Sequence, residues 1–181
     1  MNIGFDLDGI FIDTPPLIPK KFIEWMYREH NQTLSYRIPS EPEKLIRKLT
    51  HYHLFRPSIE KNIVFLRNTS KKNKKIYLIS SRFSFLENKT FALIKKYAFN
   101  NLFDEMFFNF SDKQPHIFKS SYIKKLHIQK YVDDDLDLIT YLAKNNVQTT
   151  FFWLNNKTKK KLKKNLYAIT KLSEVFTNSF K

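Results

Sequence analysis

Hydrophobic positions along this chain fall into two patterns, and their alternation predicts its architecture. Short continuous apolar runs at residues 3–5, 76–79, 106–110, 128–132 and 149–154 have the length of buried strands. Between them, apolar residues recur at helical spacing: Phe22, Ile23, Met26 and Tyr27 after Pro19, Leu45, Ile46 and Leu49 after Ser40, and Ile59, Ile63 and Leu66 after Pro57. Leu93, Ile94 and Tyr97 continue the pattern, as do helical stretches at 115–126 and 136–145. Ser40 with Glu43, and Ser84 with Glu87, have capping-box spacing, the first with Pro42 in its opening turn. Residues 157–164 are expected as a solvated lysine-rich helix and 166–169 as a short edge strand, with Thr170 or Ser173 capping a final helix. Strands alternating with helices imply an α/β fold, a three-layer Rossmann-like parallel sheet. Residues 14–56 are expected to form a small helical cap inserted after the first strand, with 1–13 and 57–181 making the core domain.

Composition narrows this only a little. A chain of 181 residues suits one domain carrying a small insertion. With 42% hydrophobic residues and 18 phenylalanines it can bury a substantial core. No window reaches the roughly 18 consecutive apolar residues of a membrane span. The acidic, strand-like start does not match a secretory leader, and a cytoplasmic location is the expectation. Absence of cysteine excludes disulfides and thiolate metal sites. The formal charge of +15 invites a nucleic-acid reading, but only six of the 32 basic residues are arginine, the better reader of phosphate and base. Abundant Asn, Ile, Phe, Tyr and Lys beside two glycines is also the mix that A/T-rich codons produce. The field should still attract anionic substrates such as phosphate esters.

Chemistry gathers where the expected strands end. The first breaks into Asp6, Asp8 and Gly9, the second into Ser80, Ser81 and Arg82, and the fourth into Asp133, Asp134 and Asp135. Lys119 lies on the segment between the third and fourth strands. Ligands of an open parallel sheet bind beyond the carboxyl ends of its strands, where strand order reverses. If the first and fourth strands are neighbours there, Asp6, Asp8 and Asp134 converge, and a bound Mg²⁺ is the natural relief of their repulsion. A serine hydroxyl and a lysine ammonium nearby describe a phosphate pocket.

These residues, in this order, resemble the haloacid dehalogenase-like (HAD) hydrolases. The D-x-D of that family is matched by Asp6-Leu7-Asp8, its strand-ending Ser or Thr by Ser80, its lysine by Lys119, and its acidic pair by Asp133 and Asp134. Ile10 stands where the family often has Thr. The resemblance implies phosphoryl transfer through an aspartyl-phosphate, with Asp6 as nucleophile and Asp8 carrying protons. It implies Mg²⁺ held by Asp6, Asp8 through its backbone carbonyl, and Asp134, with Asp133 and Asp137 as supporting acids. Ser80, Ser81, Arg82 and Lys119 would bind the substrate phosphate. Lys124 and Lys125 remain alternatives to Lys119, and Asp133 to Asp134.

The expected activity is hydrolysis of a small phosphate monoester, a nucleotide or sugar phosphate. The short cap and the Ser-Ser-Arg resemble 5′-nucleotidase-like members. A nucleic-acid end-processing phosphatase and a non-catalytic HAD-like binding module are the alternatives. His51 and His53 are expected to face solvent, Trp25 and Trp153 to pack in core or cap, and the 157–164 lysines to form a solvated face.

Overall fold

The computed structural model describes residues 1–13, 40–52, 55–69, 71–155 and 157–177. The expected helix after Pro19, Trp25 and His53 lie outside the described residues. The described strands are β1 (Asn2–Phe5), β2 (Lys75–Ser80), β3 (Glu105–Phe108), β4 (Lys130–Asp133), β5 (Thr150–Leu154), β6 (Lys160–Lys163) and β7 (Leu166–Ile169). The described α-helices are α1 (Glu41–Thr50), α2 (Glu60–Asn68), α3 (Glu87–Lys96), α4 (Pro115–Lys125) and α5 (Leu136–Asn145). All seven strands join one sheet in the order β3-β2-β1-β4-β5-β7-β6, parallel except where β6 meets β7. From β1 the chain builds outward through β2 to β3, then returns to lay β4 on the other side of β1. That reversal puts the carboxyl ends of β1 and β4 side by side.

Successive strand residues serve opposite faces, and both faces are covered, so the strands read as continuous apolar runs. Ile76 and Leu78 join Ile3, Phe5 and Val132 in one core with Ile63, Leu66, Leu93 and Ile94 of α2 and α3. Tyr77 and Ile79 join Tyr131 and Phe151 in a second core with Phe118 and Ile123 of α4 and Leu138, Ile139 and Leu142 of α5. Each fully buried Ile, Leu or Phe contributes about 1.5–3 kcal/mol, so these two layers hold the sheet rigid beneath its carboxyl edge. Gly4 faces the second core, where a Cβ would come 2.8 Å from the Tyr131 ring. Its missing side chain lets that ring lie across β1.

Four sequence expectations are corrected. Residues 157–164 form no helix: β6 is an antiparallel outer strand, where half-buried Leu162 packs on the second core and lysines line the open edge. Lysines on an edge strand discourage pairing with another chain. β7 is accordingly interior and wholly buried, not an edge. Ser84 does not cap α3; its backbone N–H and Oγ donate to the two carboxylate oxygens of Asp112 at 2.7 and 2.6 Å, and a 3-10 turn (Ser84–Leu86) precedes the helix. The final helix is a single 3-10 turn (Leu172–Val175), held by Thr170 N–H and Oγ1 donating to Glu174 Oε1.

Asp13 N–H donates to Pro57 O at 2.8 Å, so these two positions are adjacent. Between them in the sequence, α1 starts at Ser40, with Ser40 N–H and Oγ donating to Glu43 Oε2. Its Leu45, Ile46 and Leu49 are exposed, and the helix buries Arg47 instead. No described helix is long and apolar enough to cross a membrane.

Candidate active site

β1 ends at Phe5, but the Asp6 N–H still donates to Val132 O at 2.9 Å, pinning Asp6 against β4. The chain then turns tightly: Phe11 and Ile12 N–H reach back to Leu7 O, and Gly9 N–H to Ile12 O at 2.8 Å. Leu7, Ile10, Phe11 and Ile12 are wholly buried, so this loop is part of the core, and Ile10 packs there rather than in the site. Asn62 of α2 donates to Ile10 O at 2.6 Å.

At the end of β4 the three aspartates divide. Asp135 caps α5, accepting from Asp137 and Leu138 N–H at 3.0 and 3.2 Å. Asp133 Oδ2 accepts from Lys119 Nζ at 2.7 Å, and its Oδ1 from Asp135 N–H at 3.1 Å. The Asp134 carboxylate accepts no hydrogen bond among the described residues and lies against Gly9. Gly9 has φ 71°, and a Cβ there would overlap the Asp134 carboxylate. The Asp134 carbonyl accepts from Trp153 Nε1 at 2.9 Å, which is how that tryptophan is used.

Lys119 comes from α4, is 1% exposed, and stands 3.0 Å from Asp6 Oδ1 as well as against Asp133. Lys124 and Lys125 end the same helix, exposed and away from the cluster. Asp137 is likewise exposed. Ser80 is 1% exposed at the end of β2, and its Oγ has no hydrogen-bond partner among the described residues. A buried hydroxyl left so costs roughly 1–3 kcal/mol, which a ligand oxygen would recover. Ser81 is half-buried.

Arg82 and Asp8 make the second half of the site. Arg82 Nε and Nη2 donate to Asp8 Oδ2 and Oδ1 at 2.8 and 2.7 Å, a bidentate fork. Arg56 Nη2 donates to the same Oδ1. The sequence reading passed over Arg56; its one signal is its place just before Pro57. His51 is corrected: it is buried, not solvent-facing, because it caps α1 with Nδ1 2.8 Å from Arg47 O.

Charge follows from these placements. Burial pushes the Asp6 carboxyl up to about 7, with Asp133 and Asp8 adding and Lys119 opposing. Burial, then Asp133 and Asp6, hold Asp134 well above the usual carboxylate range, and Asp133 is raised chiefly by burial. Burial works against the Lys119 charge, but Asp133 and Asp6 outweigh it and keep the ammonium protonated. Asp8 goes the other way: its packed surroundings would raise it, and Arg82 and Arg56 hold it well below the usual range. Burial, then Arg56 and Arg82, push His51 down to about 3.

Ligand oxygens of Asp6, Asp133 and Asp134 lie within 4.8 Å of one another. Oxygens around a Mg²⁺ at about 2.1 Å stand up to roughly 4 Å apart, so small side-chain shifts would close the set. The all-oxygen, raised-pKa donor set fits a hard divalent cation.

The fold is shared with several solved structures. An archaeal β-phosphoglucomutase from Pyrococcus superposes with TM-score 0.55 at 15% identity over 96% of this chain and 93% of that one. A HAD-superfamily hydrolase from Ehrlichia chaffeensis gives TM-score 0.54 at 12% identity, covering 96% and 92%. The fold is that of the HAD-like hydrolases. A HAD family enzyme from Bacteroides thetaiotaomicron, solved as an aspartate-to-alanine mutant with magnesium and inorganic phosphate, gives TM-score 0.53 at 14% identity, covering 87% and 95%. No protein-family model and no curated protein sequence matches the chain.

The raised carboxyls of this cluster carry a prediction. A folded protein that retains protons its unfolded chain has lost becomes less stable as pH rises through the folded value, here about 7 for Asp6. His51 acts in the opposite sense, but only below its ordinary 6.5. A divalent cation replaces the carboxyl protons, so Mg²⁺ is expected to raise Tm more at about pH 8 than at about pH 6. Thermal unfolding at both pH values checks this; a smaller shift at the higher pH would contradict a cation site built from these carboxylates.

Proposed function

We propose that this protein is a Mg²⁺-dependent phosphatase of small phosphorylated metabolites, working through an aspartyl-phosphate on Asp6. The observation that carries the reading is the meeting of Asp6, Asp133 and Asp134 at the point where strand order reverses, with Lys119 between Asp6 and Asp133. Without a divalent ion, four carboxylates including Asp8 face Lys119, Arg56 and Arg82 among the described residues, a balance that repels a phosphate dianion. Asp6 and Asp134, with Asp133 beside them, would hold the cation together with the Asp8 backbone carbonyl. When bound, Mg²⁺ neutralises phosphate charge so that an anionic nucleophile can approach.

An Asp6 carboxylate oxygen forms the bond to phosphorus as the ester oxygen leaves. Ser80 Oγ–H and Lys119 Nζ–H stabilise the phosphoryl oxygens, where charge develops. Asp8 is ionised on Arg56 and Arg82, so it would first leave them and take a proton from solvent; it then gives that proton to the departing oxygen and takes one from the water that hydrolyses the aspartyl-phosphate. Residues 14–56 act as the cap over this site, and α1 with its buried Arg47 and His51 is the described part of it. Nucleotides and sugar phosphates are the first substrates to try.

Phosphate release from a panel of such esters, with and without Mg²⁺, tests the reading; no release from any ester in Mg²⁺ would end it. Ser80→Ala is expected to lower turnover about 10²- to 10³-fold while leaving Tm unchanged or raised, because the buried hydroxyl has no partner to lose among the described residues. Steady-state kinetics beside thermal unfolding separate these outcomes, and unaltered turnover would remove Ser80 from the site.

A further inference from the structure

Tyr131 stands within β4 in a layer where packing alone would be served by an apolar side chain. It is wholly buried among the residues beneath α4 and α5, with the Phe151 ring set edge to face against it at 6.1 Å. A hydroxyl in such a layer destabilises the fold unless it is hydrogen-bonded. The ring has room because β1 carries glycine at position 4, where a Cβ would come 2.8 Å from it. Across that gap the Tyr131 hydroxyl donates to Ile79 O at 3.2 Å, at the end of β2. Tyr131 and Asp133 are two residues apart on one strand, so both side chains serve the same face, and Lys119 lies on that face. The Lys119 ammonium is 5.9 Å from the Tyr131 ring centroid and interacts with its hydroxyl. With its own proton given to Ile79 O, the phenol oxygen can only accept from the ammonium. Lys119 therefore has a neutral oxygen beside it as well as Asp133 and Asp6, at 2.7 and 3.0 Å.

We infer that Tyr131 is a positioning residue: its hydroxyl, anchored on Ile79 O, fixes the Lys119 ammonium where it meets the substrate phosphate. This rests on the phosphatase reading for the role of Lys119. Coulomb attraction to two carboxylates has little directional preference and follows whichever of them carries more charge. Substrate arriving at Asp6 changes that balance, and an ammonium held by charge alone would shift with it. A hydrogen bond from Lys119 to an oxygen that cannot move is directional, because the ring is wedged across Gly4 and its hydroxyl is tied to β2. A donor placed in advance needs no rearrangement as charge develops on the phosphoryl oxygens. The hydroxyl does this without adding charge to a pocket that already holds several carboxylates.

Tyr131→Phe removes the hydroxyl and keeps the ring, so the packing on Gly4 and Phe151 is retained. With an accepted ester, kcat is expected to fall about tenfold or more while KM changes by a smaller factor. Inorganic phosphate, titrated by calorimetry with Mg²⁺ present, is expected to bind about fivefold or more weakly. Both measurements are then repeated with Lys119→Met, alone and combined with Tyr131→Phe. The hydroxyl acts through Lys119, so in that background its removal should cost less than about twofold. A tyrosine that served the fold alone would cost the same factor in both backgrounds. Calorimetric stoichiometry counts folded protein separately from affinity, and Lys119→Gln completes the same cycle if Lys119→Met does not fold. Equal factors in the two backgrounds, phosphate affinity unaltered by Tyr131→Phe, or no phosphate binding by wild type would each overturn the inference. Failure of the phosphatase reading would appear separately, as absence of phosphate release from every ester, and the phosphate-binding cycle would still decide the role of Tyr131.

Discussion

Asp6→Asn is expected to lower turnover of every accepted phosphate ester by at least about a thousand-fold, with the protein still folded. The substitution keeps the size and shape of the side chain, so the two core layers around β1 are undisturbed. An amide nitrogen or oxygen does not attack phosphorus usefully, and the aspartyl-phosphate cannot form. Stability should hold because the Asp6 carboxyl is already pushed up to about 7 by its burial and its acidic neighbours. Its loss removes repulsion from Asp133 and Asp134, and Lys119 keeps its 2.7 Å contact with Asp133. Phosphate release at saturating substrate, read beside thermal unfolding, decides the matter. Turnover within about tenfold of wild type would assign the nucleophile elsewhere.

Gly9→Ala should be nearly as damaging, although alanine carries no chemistry. The position has φ 71°, where a side chain costs roughly 1–3 kcal/mol of strain, and the new methyl would overlap the Asp134 carboxylate. The loop cannot retreat, since Leu7, Ile10, Phe11 and Ile12 on either side are wholly buried. Asp134 has to move instead, and displacing one ligand or its support typically weakens a metal site about 10- to 100-fold. The Mg²⁺ concentration giving half-maximal turnover should rise by that factor, with Tm lowered in the absence of metal. An unshifted Mg²⁺ dependence would mean that Asp134 is not a ligand. The chain has two glycines, and both serve close approach near β1: Gly4 admits the Tyr131 ring and Gly9 admits Asp134.

Much of the sheet was legible because local pattern and burial agree. The apolar runs before Asp6, Ser80 and Asp133 are central strands covered on both faces, and nothing in their sequence competes with that state. The Ser40–Glu43 capping box and the 136–145 helix formed where local chemistry put them, since each signal is satisfied within a few residues. The lysine run failed as a helix because its conformation is set by a neighbour: β7 offers it an edge, and lysine is as acceptable on an exposed edge as on a solvated turn. Ser84 failed as a cap because Asp112, 28 residues away, supplies a better acceptor pair for its N–H and hydroxyl.

The sequence by itself determined the class of fold, the order in which its strands end in polar residues, and the carboxylate pair Asp6-x-Asp8 at the first of those ends. These follow from short-range regularities that a linear chain displays. Only the tertiary structure decided which of several equivalent residues act together. It took Lys119 rather than Lys124 or Lys125 into the acidic cluster, made Asp135 a helix cap, tied Asp133 to Lys119, and left the Asp134 oxygens against Gly9. It also turned Arg56 and His51 inward onto Asp8's surroundings. The physical reason is that charge is felt through space: an aspartate's role depends on which cation or carboxylate lies within a few ångströms, and most such neighbours here come from distant strand ends and helices.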